Sequence, residues 1–150
     1  MLNIDFEHSL NQLERKEIEH FEMEHNVMFP VDYKNFLLSN NGGKPKKRRF
    51  TTVDGTITSS IMLFFPISEN TDLNIKTFYN KYNQNNIVPP TFLPIGIDPV
   101  ENLICLQLDE NDYVYFCDLD YYEEDNELKP ENIKLISKSF KGFIQKLSEF

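Results

Sequence analysis

The chain has 150 residues, 40% of them apolar, with thirteen Phe, seven Tyr and no Trp, so it can bury roughly 70% of its unfolded surface without a metal or disulfide staple and reads as one domain over residues 1–150. No apolar run approaches the roughly 20 residues of a bilayer span, and MLNIDFEHSLNQLERKE carries early acids and no apolar h-region, so neither a membrane protein nor a signal peptide is expected, and the cytoplasm is. The net charge of −9 lies in one window: Asp109, Glu110, Asp112, Asp118, Asp120, Glu123, Glu124, Asp125 and Glu127 are nine acids with no Lys or Arg between them, and the other acids balance the fifteen bases.

In chain order, Ser9 with Gln12 three residues on has the form of a capping box, which predicts a helix carrying Leu10, Leu13, Ile18 and Phe21 on one face. A second helix starts at Pro30 with Asp32 in its first turn and Tyr33, Phe36 and Leu37 at apolar spacing. Asn40-Asn41-Gly42-Gly43 stops it, and the short 25–29 connection makes the two helices an antiparallel pair. FTTV-DG-TITSS predicts a hairpin at Asp54-Gly55. IMLFF, residues 61–65, reads as a buried strand closed by Pro66, and residues 71–83 as a helix with Ile75, Phe78, Tyr79 and Tyr82 inward. FLPIGI, NLICLQL and DYVYFCDL read as three strands, the last two joined by a polar turn at 109–112. Alternation puts Val114 and Phe116 inward and Tyr113 and Tyr115 on the other face. Ser137 begins a closing helix with Phe140, Phe143, Ile144 and Leu147 on one face. The order predicts an α+β fold: an antiparallel-rich sheet, an N-terminal helix pair, one inserted helix and a C-terminal helix.

Motifs for catalysis are absent. Gly43-Lys44 does not continue as a phosphate loop, because Pro45 follows the lysine and a helix, not a strand, precedes the glycines. The run Lys44 to Arg49, five positive charges in six residues, reads as a solvated loop and not a nucleic-acid patch, since the rest of the chain is acidic. His20 and His25 miss the i,i+4 spacing of a helical metal pair. Cys105 and Cys117 lack a CxxC neighbour and read as small buried hydrophobes. No catalytic, metal or cofactor residue is assigned. The acids at 109–127 sit in one solvated segment, which does not raise a carboxyl pKa as a general acid needs. Two readings of that window stay open: a field that steers a basic partner, or a loop kept soluble by its charge.

The stretch IEHFEMEHNVMFPVDYKNFLLSNNGG, residues 18–43, resembles the signature of the SUKH superfamily, the group of the Smi/Knr cell-wall regulators. The matching positions are Phe29, Pro30, Asp32, Tyr33, Phe36, Leu37, Asn41, Gly42 and Gly43. LFFPIS, FLPIGIDPVENLICLQL, VYFCDLD and ISKSFKGFIQKL resemble the family's later strands and closing helix, so the likeness covers residues 18–147. Val100-Glu101-Asn102 stands where the family often has Gly-Asp, and a Trp often seen near VYF is missing. The resemblance implies structural roles for Pro30, Asp32, Tyr33, Phe36, Asn41, Gly42 and Gly43. It also implies a non-enzymatic immunity protein that neutralises a cognate bacterial polymorphic or contact-dependent toxin, often a nuclease. The absence of Ala and the sixteen Asn fit AT-rich bacterial coding. The partner expected is a basic toxin domain, with no nucleic acid, membrane or cofactor, and the chain is a monomer or weak dimer. The expected contact residues are Asp109, Glu110, Asp112, Tyr113, Tyr115, Asp118, Asp120, Tyr121, Tyr122, Glu123, Glu124, Asp125 and Glu127, with the tyrosines as aromatic anchors. The alternative is a regulatory interaction scaffold like the fungal members.

Overall fold

The computed structural model describes residues 5–9, 12–119 and 128–149. Among them, strands β1 (Phe6–Ser9), β2 (Gly43–Pro45), β5 (Leu63–Phe64), β6 (Phe92–Ile97), β7 (Leu103–Gln107), β8 (Val114–Cys117) and β9 (Ile133–Ser137) form one sheet in the order β1-β2-β5-β6-β7-β8-β9. Each neighbouring pair runs antiparallel. A separate hairpin pairs β3 (Arg49–Thr51) with β4 (Thr58–Ser60). Four helices accompany them: α1 (Arg15–His25), α2 (Val31–Ser39), α3 (Ile75–Tyr82) and α4 (Phe140–Lys146). This is the expected α+β, antiparallel architecture. No helix among the described residues is long and apolar enough to cross a membrane.

The first helix does not start at Ser9. Ser9 closes β1 opposite Gly43, and the helix begins six residues later behind Glu14, whose N–H donates to Glu17 Oε2 at 2.9 Å. Pairing with a strand some 36 residues away satisfies the Phe6–Ser9 backbone, which local spacing cannot reveal. Leu10 lies outside the described residues. Ile18 and Phe21 are buried as expected. Asn26, at φ 53°, ends α1, and Glu22 ties the helix to its partner: its Oε2 accepts the Phe29 N–H at 2.6 Å and sits 3.3 Å from Lys34 Nζ. Pro30 caps α2, and Tyr33, Phe36 and Leu37 are each only 1% exposed.

The step from α2 into β2 is the tightest part of the chain. Asn41, 5% exposed, donates from Nδ2 to Ile67 C=O at 3.0 Å and accepts the Ile67 N–H on Oδ1 at 2.9 Å. A Cβ on Gly42 (φ 79°) would stand 2.6 Å from Pro66 N and 2.7 Å from Phe64 O. Glycine here allows both the left-handed turn and the close backbone approach.

Aromatic contacts fill the space between helices and sheet. Phe36 lies between Phe64 (5.1 Å), Phe140 (5.2 Å) and Phe6 (5.9 Å), mostly edge to face. Phe64 also meets Phe143, and Phe50 of the hairpin reaches both Phe143 and Phe116. The next residue, Phe65, points the other way and stacks on Phe78 of α3 at 4.2 Å. All six residues of β6 are buried. Ile75, Tyr79 and Tyr82 are buried and Phe78 is half-buried, as the helical spacing predicts, but α3 starts at Ile75 because Asn74 caps it, accepting Thr77 N–H at 2.8 Å.

Two further expectations are corrected. Ser137 belongs to β9, an unpredicted strand, and α4 begins behind Ser139, whose Oγ accepts the Gly142 N–H at 2.9 Å. The basic run is not a free loop: Lys44 and Pro45 lie in β2, Arg49 opens β3, and Lys44 Nζ and Arg48 Nη1 lie 3.7 and 3.6 Å from Glu7. Lys46, Lys47 and Arg49 are exposed, as expected of a solvated segment, although Arg49 is part of a strand. The hairpin loop, residues 52–57, is held on Asp54, which accepts from Thr52 Oγ1, Thr56 N–H and Thr56 Oγ1 and sits 3.1 Å from Lys134 Nζ. Val53 N–H also donates to Leu135 C=O, so the hairpin covers part of the β9 edge.

Gly42→Ala is expected to destabilise the fold by about 2 kcal/mol or more, read as a lowered urea midpoint with an unchanged slope; an unaltered midpoint would show that the 42–66 approach is not a constraint. The bonds to Thr56, Thr52 and Lys134 hold the Asp54 carboxyl well below its ordinary value of 3.8. Its contribution to stability is therefore complete above that value and is lost as the pH falls below it, towards the depressed folded pKa. The stability gap between wild type and Asp54→Asn should accordingly shrink on acidification through that window, measured by denaturation at stepped pH.

Candidate functional site

The acidic window starts in the turn between β7 and β8. Asp109 shapes that turn: Oδ1 accepts Asn111 N–H at 2.8 Å and Oδ2 accepts Gln107 Nε2 at 2.5 Å. Asp109 and Glu110 are exposed. Asp112 is not a free surface acid, because its Oδ2 accepts the N–H of Phe140, the first residue of α4, at 3.1 Å. A carboxylate there also favours the positive end of the helix dipole. Tyr113 and Tyr115 are half-buried with rings 6.4 Å apart, while Val114 and Phe116 face the core as alternation predicts. Tyr115 stacks on Phe92 at 4.7 Å and its hydroxyl donates to Gln107 Oε1 at 3.5 Å. Partial burial pushes its phenol pKa up, with Tyr113 and Asp109 adding to the effect.

Asp118 lies at the far end of β8, half-buried, its N–H donating to Asn132 C=O. At about 3.3 Å per residue, six steps put it up to about 20 Å from Asp112. The described acids thus fall into two groups, not one. Asp120, Tyr121, Tyr122, Glu123, Glu124, Asp125 and Glu127 lie outside the described residues. Their flanks are fixed: Leu119 N–H donates to Asn102 Oδ1 at 3.0 Å, and Leu128 N–H to Ile87 C=O at 2.8 Å. Asn102 is itself held by Asp98, 2% exposed, which accepts Asn102 N–H at 2.8 Å, Val100 N–H at 3.0 Å and Ser59 Oγ at 2.9 Å.

The motif residues sit elsewhere. Pro30, Tyr33, Phe36, Asn41, Gly42 and Gly43 build the helix pair and its junction with β2, and Asp32 is half-buried in the first turn of α2. Tyr33 is enclosed by Phe29, Phe36 and Phe140; its hydroxyl has no hydrogen-bond partner among the described residues, and burial pushes its pKa up.

Among the described residues, two concavities lie near these groups. The larger, about 940 Å³, lies between α1 and residues 67–76 over Leu13 and Phe21. Lys76 bridges it to Glu24 at 2.8 Å, and the bond holds the Glu24 pKa down and the Lys76 pKa up. His20 Nε2 is 3.3 Å from the other Glu24 oxygen, so the charges in this cleft largely pair with one another and tie α1 to α3. The smaller, about 360 Å³, is lined by Asn26, Val27, Met28, Pro90, Thr91 and Leu108, the residue before Asp109. Sequence reasoning missed it. Its signal was present as a Val27-Met28 pair and a Pro89-Pro90 pair in segments otherwise read as connections. No group of three or more His, Cys, Asp or Glu among the described residues is arranged to hold a metal ion.

The family whose model matches the chain is the SMI1 / KNR4 family (SUKH-1), over residues 13–146. This group takes in immunity-type and SMI1/KNR4-like proteins. No curated protein matches the chain.

The separate roles of two neighbouring acids are open to measurement. Asp112→Ala should cost about 1 kcal/mol of stability through the lost bond to α4, whereas Glu110→Ser should stay within about 0.5 kcal/mol of wild type. Equal unfolding midpoints for the two variants would remove the structural role given to Asp112.

Proposed function

The chain belongs to the SMI1 / KNR4 family (SUKH-1), and from that premise we propose that it is a non-enzymatic immunity protein that binds and neutralises a cognate toxin domain. In this reading the single domain of residues 1–150 acts in a bacterial cytoplasm, as a monomer or weak dimer, and its partner is a basic protein and not nucleic acid or membrane. The observation that carries the reading is the concentration of the whole net charge in residues 109–127. The described start of that window sets exposed Asp109 and Glu110 beside half-buried Tyr113 and Tyr115. Charges at such a surface raise association rates and set specificity, and tyrosines supply contact area at low entropic cost. A nuclease is the toxin class that fits best, because a surface built to attract phosphate is basic and an acidic face imitates phosphate.

The placement of the motif supports the same reading. Tyr33, Phe36, Asn41 and Gly42 are buried in the scaffold, which leaves the partner-specific surface to other segments. A scaffold separated from its contact surface can keep one fold while its partner changes.

The test is co-expression of the toxin domain encoded beside this chain, with growth and co-purification scored. Protection and co-purification are expected from the wild type. A variant with Glu123, Glu124, Asp125 and Glu127 all replaced by Ser should lose most of both, and the wild-type association rate should fall steeply with added salt. Full protection by that variant would assign the acids to solubility. A neighbour that is harmless, or that kills in the presence of the wild type, would overturn the immunity reading and favour a regulatory scaffold.

A further inference from the structure

We propose that the groove between the α1–α2 connection and the turn ahead of β6 is the anchor pocket of the partner-binding face. It takes one aliphatic or aromatic side chain flanked, within two or three residues, by Lys or Arg. The inference rests on the reading of the chain as a binding protein for a basic partner, and it names where that partner is gripped.

The groove presents apolar surface that nothing in the described fold covers. Met28 is 76% exposed, Pro90 is exposed, and Val27 and Leu108 are half-buried. Its walls are fixed by hydrogen bonds within and behind the lining segments. On one side, Asn26 caps α1 and Phe29 N–H is bound by Glu22. On the other, Asn83 Nδ2 donates to the carbonyls of Pro89 and Phe92, and Leu108 N–H donates to Thr91 C=O at 2.7 Å. A pocket ordered before binding spares the partner that entropy cost.

Charge selects the occupant. Among the described residues no Lys or Arg lines the groove, and acids flank its lining segments in the chain: Glu22 and Glu24 before Asn26, Asp109 and Glu110 after Leu108. Glu22 and Glu24 are paired with Lys34 and Lys76, but Asp109 and Glu110 stand exposed immediately beyond Leu108. An apolar slot with a rim of one sign favours an apolar side chain carried in a basic segment, the apolar contact giving affinity and the rim giving orientation. The same rim disfavours the groove of a second copy, which carries the same acids.

The probe is a synthetic peptide, acetyl-Lys-Lys-Phe-Leu-Lys-Lys-amide, titrated into the full-length ¹⁵N-labelled protein, with a control in which Ser-Ser replaces Phe-Leu. The expected result is saturable shifts of the Val27, Met28, Thr91 and Leu108 amides with the first peptide. The control should bind about tenfold more weakly, and Met28→Ser should weaken the first peptide by a similar factor. Met28 is exposed, so this variant should keep the wild-type unfolding midpoint. Equal affinity for both peptides, shifts confined to the α1 cleft, or an unaffected Met28→Ser would each overturn the proposal. So would a wild-type dimer dissolved by Met28→Asp in sedimentation, since the occupant would then be a second copy. In the co-expression assay, a Met28→Ser chain that protects as well as wild type overturns the groove while the immunity reading stands. A wild type that fails to protect removes the immunity reading, and the peptide titration then decides the groove by itself.

Discussion

The fold turns on the seam where α2 runs into β2. Asn41 treats the Ile67 backbone as a strand would, bonding both its N–H and its C=O, and Gly42 brings its own backbone into contact with Phe64 and Pro66. This single approach inserts β2 between β1 and β5. It also sets the height of α2 over the sheet, so that Phe36 meets Phe6, Phe64 and Phe140 at once. The seam thus fixes one end of the helix pair against the strands, which suits the edge-to-face contacts of the aromatic core.

From that seam the structure separates support from display. The buried polar residues Asn41, Asn83, Asp98 and Asn102 each spend their side chains on backbone groups of a neighbouring segment. Such bonds leave few buried donors or acceptors unmet and fix loops without adding secondary structure. Together with Glu22, which binds the Phe29 N–H, they tie down the connections at residues 26–29, 83–91 and 98–102. The exposed acids and the apolar groove are carried on or beside these connections. Asp112 marks the boundary between the two roles: a member of the acidic window by sequence, it is bound to the start of α4.

Much of this was legible in the sequence where neighbours in the chain are neighbours in space. The apolar spacing of Tyr33, Phe36 and Leu37, the alternation of Val114 and Phe116, and the Asp54-Gly55 turn all report local contacts, and each stands where it was expected. The misreadings share one cause. Phe6–Ser9 became a strand because of residues 43–45, and Ile133–Ser137 because of residues 114–117, partners that no local period encodes. Ser9 and Ser137 look like helix caps, and the true caps, Glu14 and Ser139, lie beyond strands that the pattern does not show. The same limit applies to the candidate site. Composition located the acids, but only the fold reveals that Asp112 and Asp118 stand at opposite ends of β8 and that Leu108 closes a groove with Val27 and Met28.

The sheet order has a consequence for chain entropy. β6, β7 and β8 follow one another through the short turns 98–102 and 108–113, whereas β1 with β2, β2 with β5, and β5 with β6 join residues 6 and 45, 43 and 64, and 63 and 97. Loop-closure entropy grows with the logarithm of the separation, so the two sides of one sheet differ in the disorder that must be given up to form them. The acidic turn belongs to the side that closes over short distances, and the Asn41–Gly42 seam belongs to the side assembled across long ones.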